Sequence, residues 1–222
     1  MENLPIDPAA GGEERAPIAE PTLRRLPVYH NYLKNLDSSK THAISCTQIA
    51  QDLHLTPIQV RKDLACTGIV GKPKTGYDTE ALRLAIEDFL GWNNPNDALL
   101  FGAGHLGLAL LSYDGFASYG LDIVAAVDAD PAKQGAGPRD KKILPLEKAA
   151  GLIRRMHIKI AIIAVPEAAA QSIADLCVSC GIKAIWNFAP AKITVPADVT
   201  VQHENLASSL AVLSKKLSLR GE

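Results

Sequence analysis

The feature that most constrains the fold of this chain is the segment LLFGAGHLGLAL at residues 99–110. An apolar run leads into Gly102, Gly104 and Gly107, and a second apolar run follows. This order predicts a buried strand, a tight turn and a helix. The G-x-G-x-x-G spacing lets backbone N–H groups approach a pyrophosphate at the positive end of the helix dipole. The segment therefore predicts a dinucleotide-binding turn, although glycines also close ordinary strand–helix turns.

Apolar runs and helical patterns alternate after this turn. The runs LDIVAAVDAD, IKIAIIAVP and IKAIWNF read as strands, and the helical patterns LGLALLSYDGF, PLEKAAGLIRRM and EAAAQSIADLCVSCG separate the successive strands. Apolar strands without strict alternation are typical of a parallel sheet covered on both faces. Residues 98–203 are therefore predicted to form an α/β domain, a Rossmann-type doubly wound parallel sheet.

Asp128 ends the second predicted strand, about twenty residues after the glycine motif, as a dinucleotide site requires. A carboxylate there accepts hydrogen bonds from ribose hydroxyls and repels a 2′-phosphate, which favours NADH and NAD⁺ over their phosphorylated forms. The stretches AVPE and NFAP end the next two strands and are expected to line the nicotinamide half, although proline turns alone would also explain them. The predicted cofactor-binding residues are Gly102, Ala103, Gly104, His105, Leu106, Gly107, Tyr113, Asp128, Lys133, Val165, Pro166, Asn187, Phe188, Ala189 and Pro190.

The region before this domain is basic. Residues 21–76 carry eight lysines and arginines against three aspartates, in a chain whose net charge is −1. Such a segment suggests a partner with phosphates, although charged runs are often only solvated faces. Two short helices joined by a turn are predicted, the first capped by Ser45 and the second by Thr56. The side chains predicted to face inward are Ile49, Ala50, Leu53, Ile58, Val60 and Leu64.

The outward face of the second helix carries Gln59, Arg61 and Lys62, which suit base edges and phosphates in a major groove. The following GIVGKPKTGY at 68–77 is glycine-rich and basic, as in a wing hairpin that contacts the DNA backbone. A structural or protein-binding helical pair is the alternative. The predicted DNA-binding residues are Ser45, Thr56, Gln59, Arg61, Lys62, Lys72 and Lys74.

Composition completes the predicted organisation. No apolar run is long enough to span a membrane, and the N-terminus lacks the pattern of a signal peptide, so a cytoplasmic protein without a membrane partner is expected. The single C-x-x-C of Cys177 and Cys180 lies within a helical pattern and is interpreted as packing, so no metal site is predicted. The predicted divisions are a disordered tail (1–20), a winged-helix domain (21–88), a linker (89–97), a Rossmann domain (98–203) and a C-terminal dimerisation helix (204–222).

The order of these motifs resembles one family, the Rex redox-sensing transcriptional repressors of bacteria. RLPVYHNYLKNL, QVRKDL, FGAGHLG, VDADPAKQG, GIKAIWNFAP and a late ENL follow the family's order and spacing over about 200 residues. The resemblance implies a homodimer with an exchanged C-terminal helix, and repression that NADH relieves. Because a two-fold dimer presents two recognition helices, the expected partner is double-stranded operator DNA with an inverted repeat. No enzymatic activity is predicted. Leu206, Leu210, Leu213 and Leu217 form one apolar stripe, which would also suit packing within one subunit.

The chain departs from the family pattern at three places. Cys66 stands where an aromatic residue is usual, and Pro73 occupies a wing position that is usually Arg. Asn205 stands where the family usually has an Asp that pairs with an N-terminal Arg and a Tyr. The resemblance thus implies a redox relay of Arg25, Tyr113 and Asn205.

Two other functions compete with this reading. A small NAD-dependent dehydrogenase would need a positioned acid or base beside the nicotinamide, and usually a substrate domain. The other domain here is small and basic, and no remaining His, Lys or Tyr is obviously placed for that role. A repressor whose Rossmann domain binds coenzyme A or a sugar phosphate is the third possibility, against which Asp128 argues.

Overall fold

The computed structural model describes residues 18–37 and 41–219 of the chain. They form two compact units that divide between Gly91 and Trp92, within the stretch 89–97 that the sequence assigns to a linker. The predicted tail at 1–20 lies outside the described residues except for its last three, and the first helix already begins at Glu20.

The first unit is a small helical domain with a two-stranded sheet. Its elements in chain order are α1 (Glu20–Lys34), β1 (Ala43–Ile44), α2 (Cys46–Asp52), α3 (Pro57–Ala65), β2 (Tyr77–Asp78) and α4 (Thr79–Phe89). β1 pairs with β2 antiparallel, and the tight hairpin between α3 and β2 is the predicted wing. The winged-helix architecture is therefore confirmed.

Local signals begin the two short helices of this unit. The hydroxyl of Ser45 accepts a hydrogen bond from the backbone N–H of Gln48, 3.1 Å away. The hydroxyl of Thr56 does the same for Gln59 at 3.3 Å, with Pro57 at the first helical position. These caps satisfy N–H groups that have no partner inside the helix. The core beneath them contains Leu26, Tyr29, Leu33, Ile49, Val60, Leu64, Leu82 and Ile86.

The second unit is a Rossmann-type sheet with helices on both faces. Its elements in chain order are β3 (Asn96–Phe101), α5 (His105–Ser112), β4 (Leu121–Asp128), β5 (Gly135–Ala136), β6 (Lys142–Pro145), α6 (Ala149–Met156), β7 (Ile160–Ile163), α7 (Glu167–Ser179), β8 (Ala184–Asn187), β9 (Thr200–His203) and α8 (Leu206–Ser218). The strand order is β5-β6-β4-β3-β7-β8-β9, and each pair is parallel except β5 with β6.

The central strand β3 shows why the sheet is covered on both sides. Residues 98–101 are all fully buried. Leu99 and Phe101 pack with residues of α6 and α7, whereas Ala98 and Leu100 pack with Leu111 of α5. Because side chains alternate between the faces of a strand, an unbroken apolar run needs a helix layer on each face. The predicted doubly wound α/β class is confirmed.

Several local expectations differ from the structure. The helix predicted over LGLALLSYDGF stops at Ser112, because Tyr113 is extended, and a 3₁₀ segment covers Asp114–Tyr119. The short strands β5, β6 and β9 were not predicted, since two to four residues make too weak a pattern. The inward placement of Ile58 was wrong, since its side chain is 67% exposed. Residues two apart on a helix point about 200° from each other, so Ile58 cannot share the face of Val60.

Within residues 18–37 and 41–219, none of the helices is long and apolar enough to cross a membrane. Cys177 and Cys180 lie in the core of the second unit with free thiols, consistent with packing groups.

Candidate functional site

The glycine turn lies between the end of β3 and the start of α5, and its three glycines have different surroundings. A Cβ on Gly102 would lie 2.4 Å from the carbonyl oxygen of Ala164, and one on Gly107 would lie 1.9 Å from the carbonyl oxygen of Gly102. A Cβ on Gly104 would meet nothing within 4 Å. Two glycines therefore allow the backbone to pack closely, while Gly104 faces open space at the helix N-terminus, where an anionic ligand is favoured.

Asp128, at the end of β4, is held against this turn. Its carboxylate accepts hydrogen bonds from the backbone N–H of Ala103 at 2.7 Å and from that of Asp130 at 2.8 Å. Burial opposes its ionisation, but these N–H groups and the ammonium of Lys133 outweigh burial, so the pKa of Asp128 lies below its usual value. The side chain is thus an ionised acceptor at the edge of the turn.

A cleft of about 530 Å³ opens beside the turn, at the carboxyl ends of β3, β4 and β7. This is the edge at which doubly wound sheets bind ligands. Its wall also includes Ser172 and Ile173 of α7, which the sequence reasoning did not single out. The predicted cofactor residues that line the cleft are Gly102, Gly104, His105, Leu106, Asp128, Lys133, Val165 and Pro166.

The other predicted cofactor residues lie elsewhere in the second unit. Ala103 and Gly107 are buried within the turn. Asn187 is fully buried, and its amide nitrogen donates to the carbonyl of Ala191 at 2.8 Å, so it holds the loop after β8. A second depression of about 670 Å³ is lined by Phe188, Ala189, Pro190, Ala191, Lys192, His203, Glu204, Asn205 and Ala207.

Tyr113 lies at the end of α5 with its side chain 57% exposed. Its ring contacts Phe116, with centroids 4.9 Å apart, and Phe116 in turn contacts Trp186 at 5.6 Å. The indole N–H of Trp186 donates to the carboxylate of Glu204 at 2.9 Å. The three rings and this hydrogen bond thus connect Tyr113 to Glu204, the residue that precedes Asn205.

The predicted relay residues have local partners. Asn205 caps α8 by accepting a hydrogen bond from the N–H of Ser208 at 3.2 Å. Arg25 forms an ion pair with Asp63 of α3, with its Nε 2.6 Å from Oδ2. Sequence reasoning did not single out Asp63. An acidic residue within the otherwise basic QVRKDL was the available signal.

The second helix of the helix–turn–helix pair, α3, presents the predicted DNA-reading surface. Arg61 and Lys62 are exposed and Gln59 is half-buried, while Val60, Asp63 and Leu64 are buried. Ser45 and Thr56, the caps of α2 and α3, are also exposed. Two cations and an amide on one helix can donate to phosphates and base edges.

The wing carries its two lysines on a tight hairpin. Lys72 and Gly76 exchange backbone hydrogen bonds of 2.7 and 2.9 Å, and both Lys72 and Lys74 are exposed. Gly76 has a φ of +89°, and a Cβ there would lie 2.2 Å from the carbonyl oxygen of Ile44, so glycine is required. Burial and the neighbouring thiol of Cys46 raise the pKa of Tyr77, and the charge of Arg61 opposes this rise.

Comparisons with known proteins match each unit. Residues 17–65 match the family described as putative DNA-binding protein N-terminus, and residues 93–191 match the family described as CoA binding domain.

Full-length relatives match both units together. The redox-sensing transcriptional repressor Rex of Treponema denticola is 46% identical over 208 residues, covering 94% of this chain and 99% of the relative. Two solved structures of a protein called RSP are 33% identical to this chain. The complex of RSP with β-NAD⁺ and operator DNA has a TM-score of 0.86 and covers 94% of this chain and 99% of RSP. The complex with β-NADH has a TM-score of 0.83 and covers 92% and 96%.

Proposed function

Because the chain belongs to the Rex family of redox-sensing transcriptional repressors, we propose that its two units couple the NADH/NAD⁺ ratio to operator binding. The protein is a repressor that binds operator DNA as a homodimer and leaves it when NADH binds. The observation that carries this function is the presence, in one chain, of an exposed basic helix with a wing and an open glycine turn beside an ionised carboxylate. A small dehydrogenase is not supported, since the full-length relatives are repressors.

The cleft is proposed to hold the adenosine and pyrophosphate of NAD(H). The open face of Gly104 admits the pyrophosphate to the N-terminus of α5, and the carboxylate of Asp128 accepts hydrogen bonds from the ribose hydroxyls. The same negative charge disfavours a 2′-phosphate. Lys133, 3.5 Å from Asp128, offsets part of that charge but is 43% exposed, so solvent screens its effect.

The exposed apolar face of α8 is proposed to pack against a second copy of the chain. Leu210, Leu213 and Leu217 are each more than half exposed, although their spacing places them on one face. A homodimer would bury this stripe and set two α3 helices against the two halves of an inverted repeat.

The relay of Arg25, Tyr113 and Asn205 remains a prediction. A carboxylate about 5 Å from the cationic ring of NAD⁺ would contribute about 3 kcal/mol at an effective dielectric of about 20. Asn205 can donate and accept hydrogen bonds but supplies no charge. We therefore expect NAD⁺ to compete less effectively here than in an Asp-bearing relative.

Titration of the purified dimer on operator DNA tests this function. The operator is an inverted repeat selected by the protein from random duplexes, and release is followed by fluorescence anisotropy. NADH should release the protein at lower concentration than NAD⁺, and NADPH and coenzyme A should be weaker still. Release by coenzyme A alone would mean that the cleft binds coenzyme A rather than NADH. Turnover of common hydroxy acids would favour the dehydrogenase.

The Asn205→Asp variant tests the relay in the same assay. Adding the carboxylate should raise the potency of NAD⁺ relative to NADH. If the relative potency stays unchanged, position 205 does not take part in redox discrimination in this chain.

A further inference from the structure

The inward face of α3 carries a buried carboxylate. The side chain of Asp63 is 3% exposed, between the apolar side chains of Val60 and Leu64 on the same face. A buried charge is costly unless it is paired and hydrogen-bonded. An aspartate on the core side of a helix whose other side reads DNA therefore needs a specific reason.

Three side chains of α1 donate to this carboxylate among the described residues. Arg25 approaches with Nε at 2.6 Å from Oδ2 and Nη2 at 2.8 Å from Oδ1, which is a bidentate pair. The hydroxyl of Tyr29 donates to Oδ2 at 2.6 Å, and that of Thr22 donates to Oδ1 at 2.8 Å. Both carboxylate oxygens are thus satisfied from one helix, over two turns of its length.

The charges support this geometry. Burial raises the pKa of Asp63, but the hydrogen bonds from Arg25, Tyr29 and Thr22 lower it by more. The pKa of Asp63 therefore lies below its usual value, and the carboxylate is ionised. Burial and the negative charge of Asp63 raise the pKa of Tyr29, which keeps its hydroxyl as a donor. The network is therefore charged and complete at neutral pH.

We propose that Thr22, Arg25 and Tyr29 form a clasp that positions the recognition helix α3, through Asp63, for discrimination between operator and other DNA. The inference rests on the proposed function of α3 in reading operator DNA. Apolar contacts hold α3 against the core without fixing its rotation sharply, whereas a bidentate pair with two further bonds fixes direction and register. A change in rotation moves Gln59, Arg61 and Lys62 relative to base edges.

The clasp predicts a loss of specificity rather than a uniform loss of affinity. Contacts to base edges need helix placement, but attraction of lysines and arginines to phosphates tolerates small displacements. Replacing Arg25 by Lys keeps the charge and removes the planar fork, and replacing Tyr29 by Phe removes one hydroxyl. Each should lower operator affinity about tenfold, which corresponds to about 1.4 kcal/mol, and leave affinity for a shuffled duplex nearly unchanged.

The chain supplies matched controls on the same helix. Arg24 forms an exposed pair with Glu20, four residues away, and Tyr32 donates its hydroxyl to Asp52 of α2. Arg24→Lys and Tyr32→Phe remove the same groups as the clasp variants, but the hydrogen bonds that they remove do not go to α3. They should preserve the ratio of operator to shuffled-duplex affinity.

The experiment measures both affinities for the full-length dimer, together with its melting temperature and the relative potencies of NADH and NAD⁺. A reduced ratio in both Arg25→Lys and Tyr29→Phe, in folded protein, supports the clasp. Because Arg25 also belongs to the proposed relay, the readout of unchanged relative potencies applies to Tyr29→Phe alone. Thr22→Val removes a single peripheral bond, which provides a milder variant if the others melt. An unchanged ratio in all folded clasp variants overturns the inference, as does an equal reduction in the control variants. If the wild-type protein does not prefer its operator, the proposed function itself fails.

Discussion

At the scale of single residues, the glycine turn combines two different requirements. Gly102, with a φ of +99°, and Gly107 lack side chains because backbone oxygens already occupy the space. Gly104 has a φ of −76°, which any residue can adopt, and open space where its side chain would stand. The fold therefore leaves this position open, and we attribute its smallness to the pyrophosphate proposed to bind there.

Alanine substitutions separate these two requirements. Gly107→Ala gains up to about 1 kcal/mol of helix propensity, but its methyl group would lie 1.9 Å from the Gly102 carbonyl oxygen, so the clash should dominate and lower the melting temperature. Gly104→Ala should fold normally and weaken NADH binding about tenfold, since the methyl group occupies the approach of the pyrophosphate. Thermal melts and NADH titration measure both effects.

Gly151, the third residue of α6, provides the control for helix propensity. Nothing lies within 4 Å of its would-be Cβ, so Gly151→Ala should stabilise the protein by about 0.5–1 kcal/mol without changing NADH affinity. Normal NADH binding by Gly104→Ala would contradict the assignment of the cleft to the pyrophosphate.

At the scale of elements, the wing and α3 contribute different kinds of DNA contact. The wing is a two-bond hairpin whose exposed side chains include two lysines, and lysine acts as a point charge. The recognition helix carries side chains that can form directional bonds with bases. The wing should therefore contribute affinity, and α3 should contribute selectivity.

Replacement of Lys72 and Lys74 together by Gln tests the role of the wing. If each neutralises one phosphate, the slope of log affinity against log salt concentration should decrease in magnitude by about two per subunit. Operator and shuffled duplexes should lose affinity alike. Lys159, which precedes β7 in the second unit, offers a control substitution. An unchanged slope in the wing variant would mean that the wing lysines do not contact DNA phosphates.

At the scale of the whole molecule, every described side chain of α8 is exposed within one chain. Fully burying a leucine is worth about 1.5–3 kcal/mol, so leaving Leu210, Leu213 and Leu217 exposed forgoes a large stabilisation. A second copy of the chain would cover these leucines. Glu204, which accepts the hydrogen bond from Trp186, lies just before α8 and would therefore be close to the dimer interface.

Changing these three leucines to serine should convert the dimer to a monomer, and operator affinity should fall because two half-sites are no longer bound together. Sedimentation equilibrium measures the oligomeric state, and anisotropy measures the affinity. Lys215→Gln, on another face of α8, should leave both unchanged. A variant that stays dimeric would place the dimer interface outside this stripe.

The sequence by itself determined the features that depend on local pattern. The apolar run before Gly102, the spacing of the glycines, the position of Asp128 and the caps Ser45 and Thr56 are each readable within a few residues, because strands, turns and helix ends are specified by nearby side chains. The doubly wound class and the basic helix with its wing followed from these patterns.

Only the tertiary structure decided which distant residues meet. Arg25 and Asp63 are 38 residues apart, and nothing in either segment specifies the other as its partner. The same is true of Trp186 with Glu204 and of Asp128 with the N–H of Ala103. The short strands β5, β6 and β9 also depend on neighbours supplied by the sheet. Such contacts arise from the packing of whole elements, so a one-dimensional pattern carries too little information to predict them.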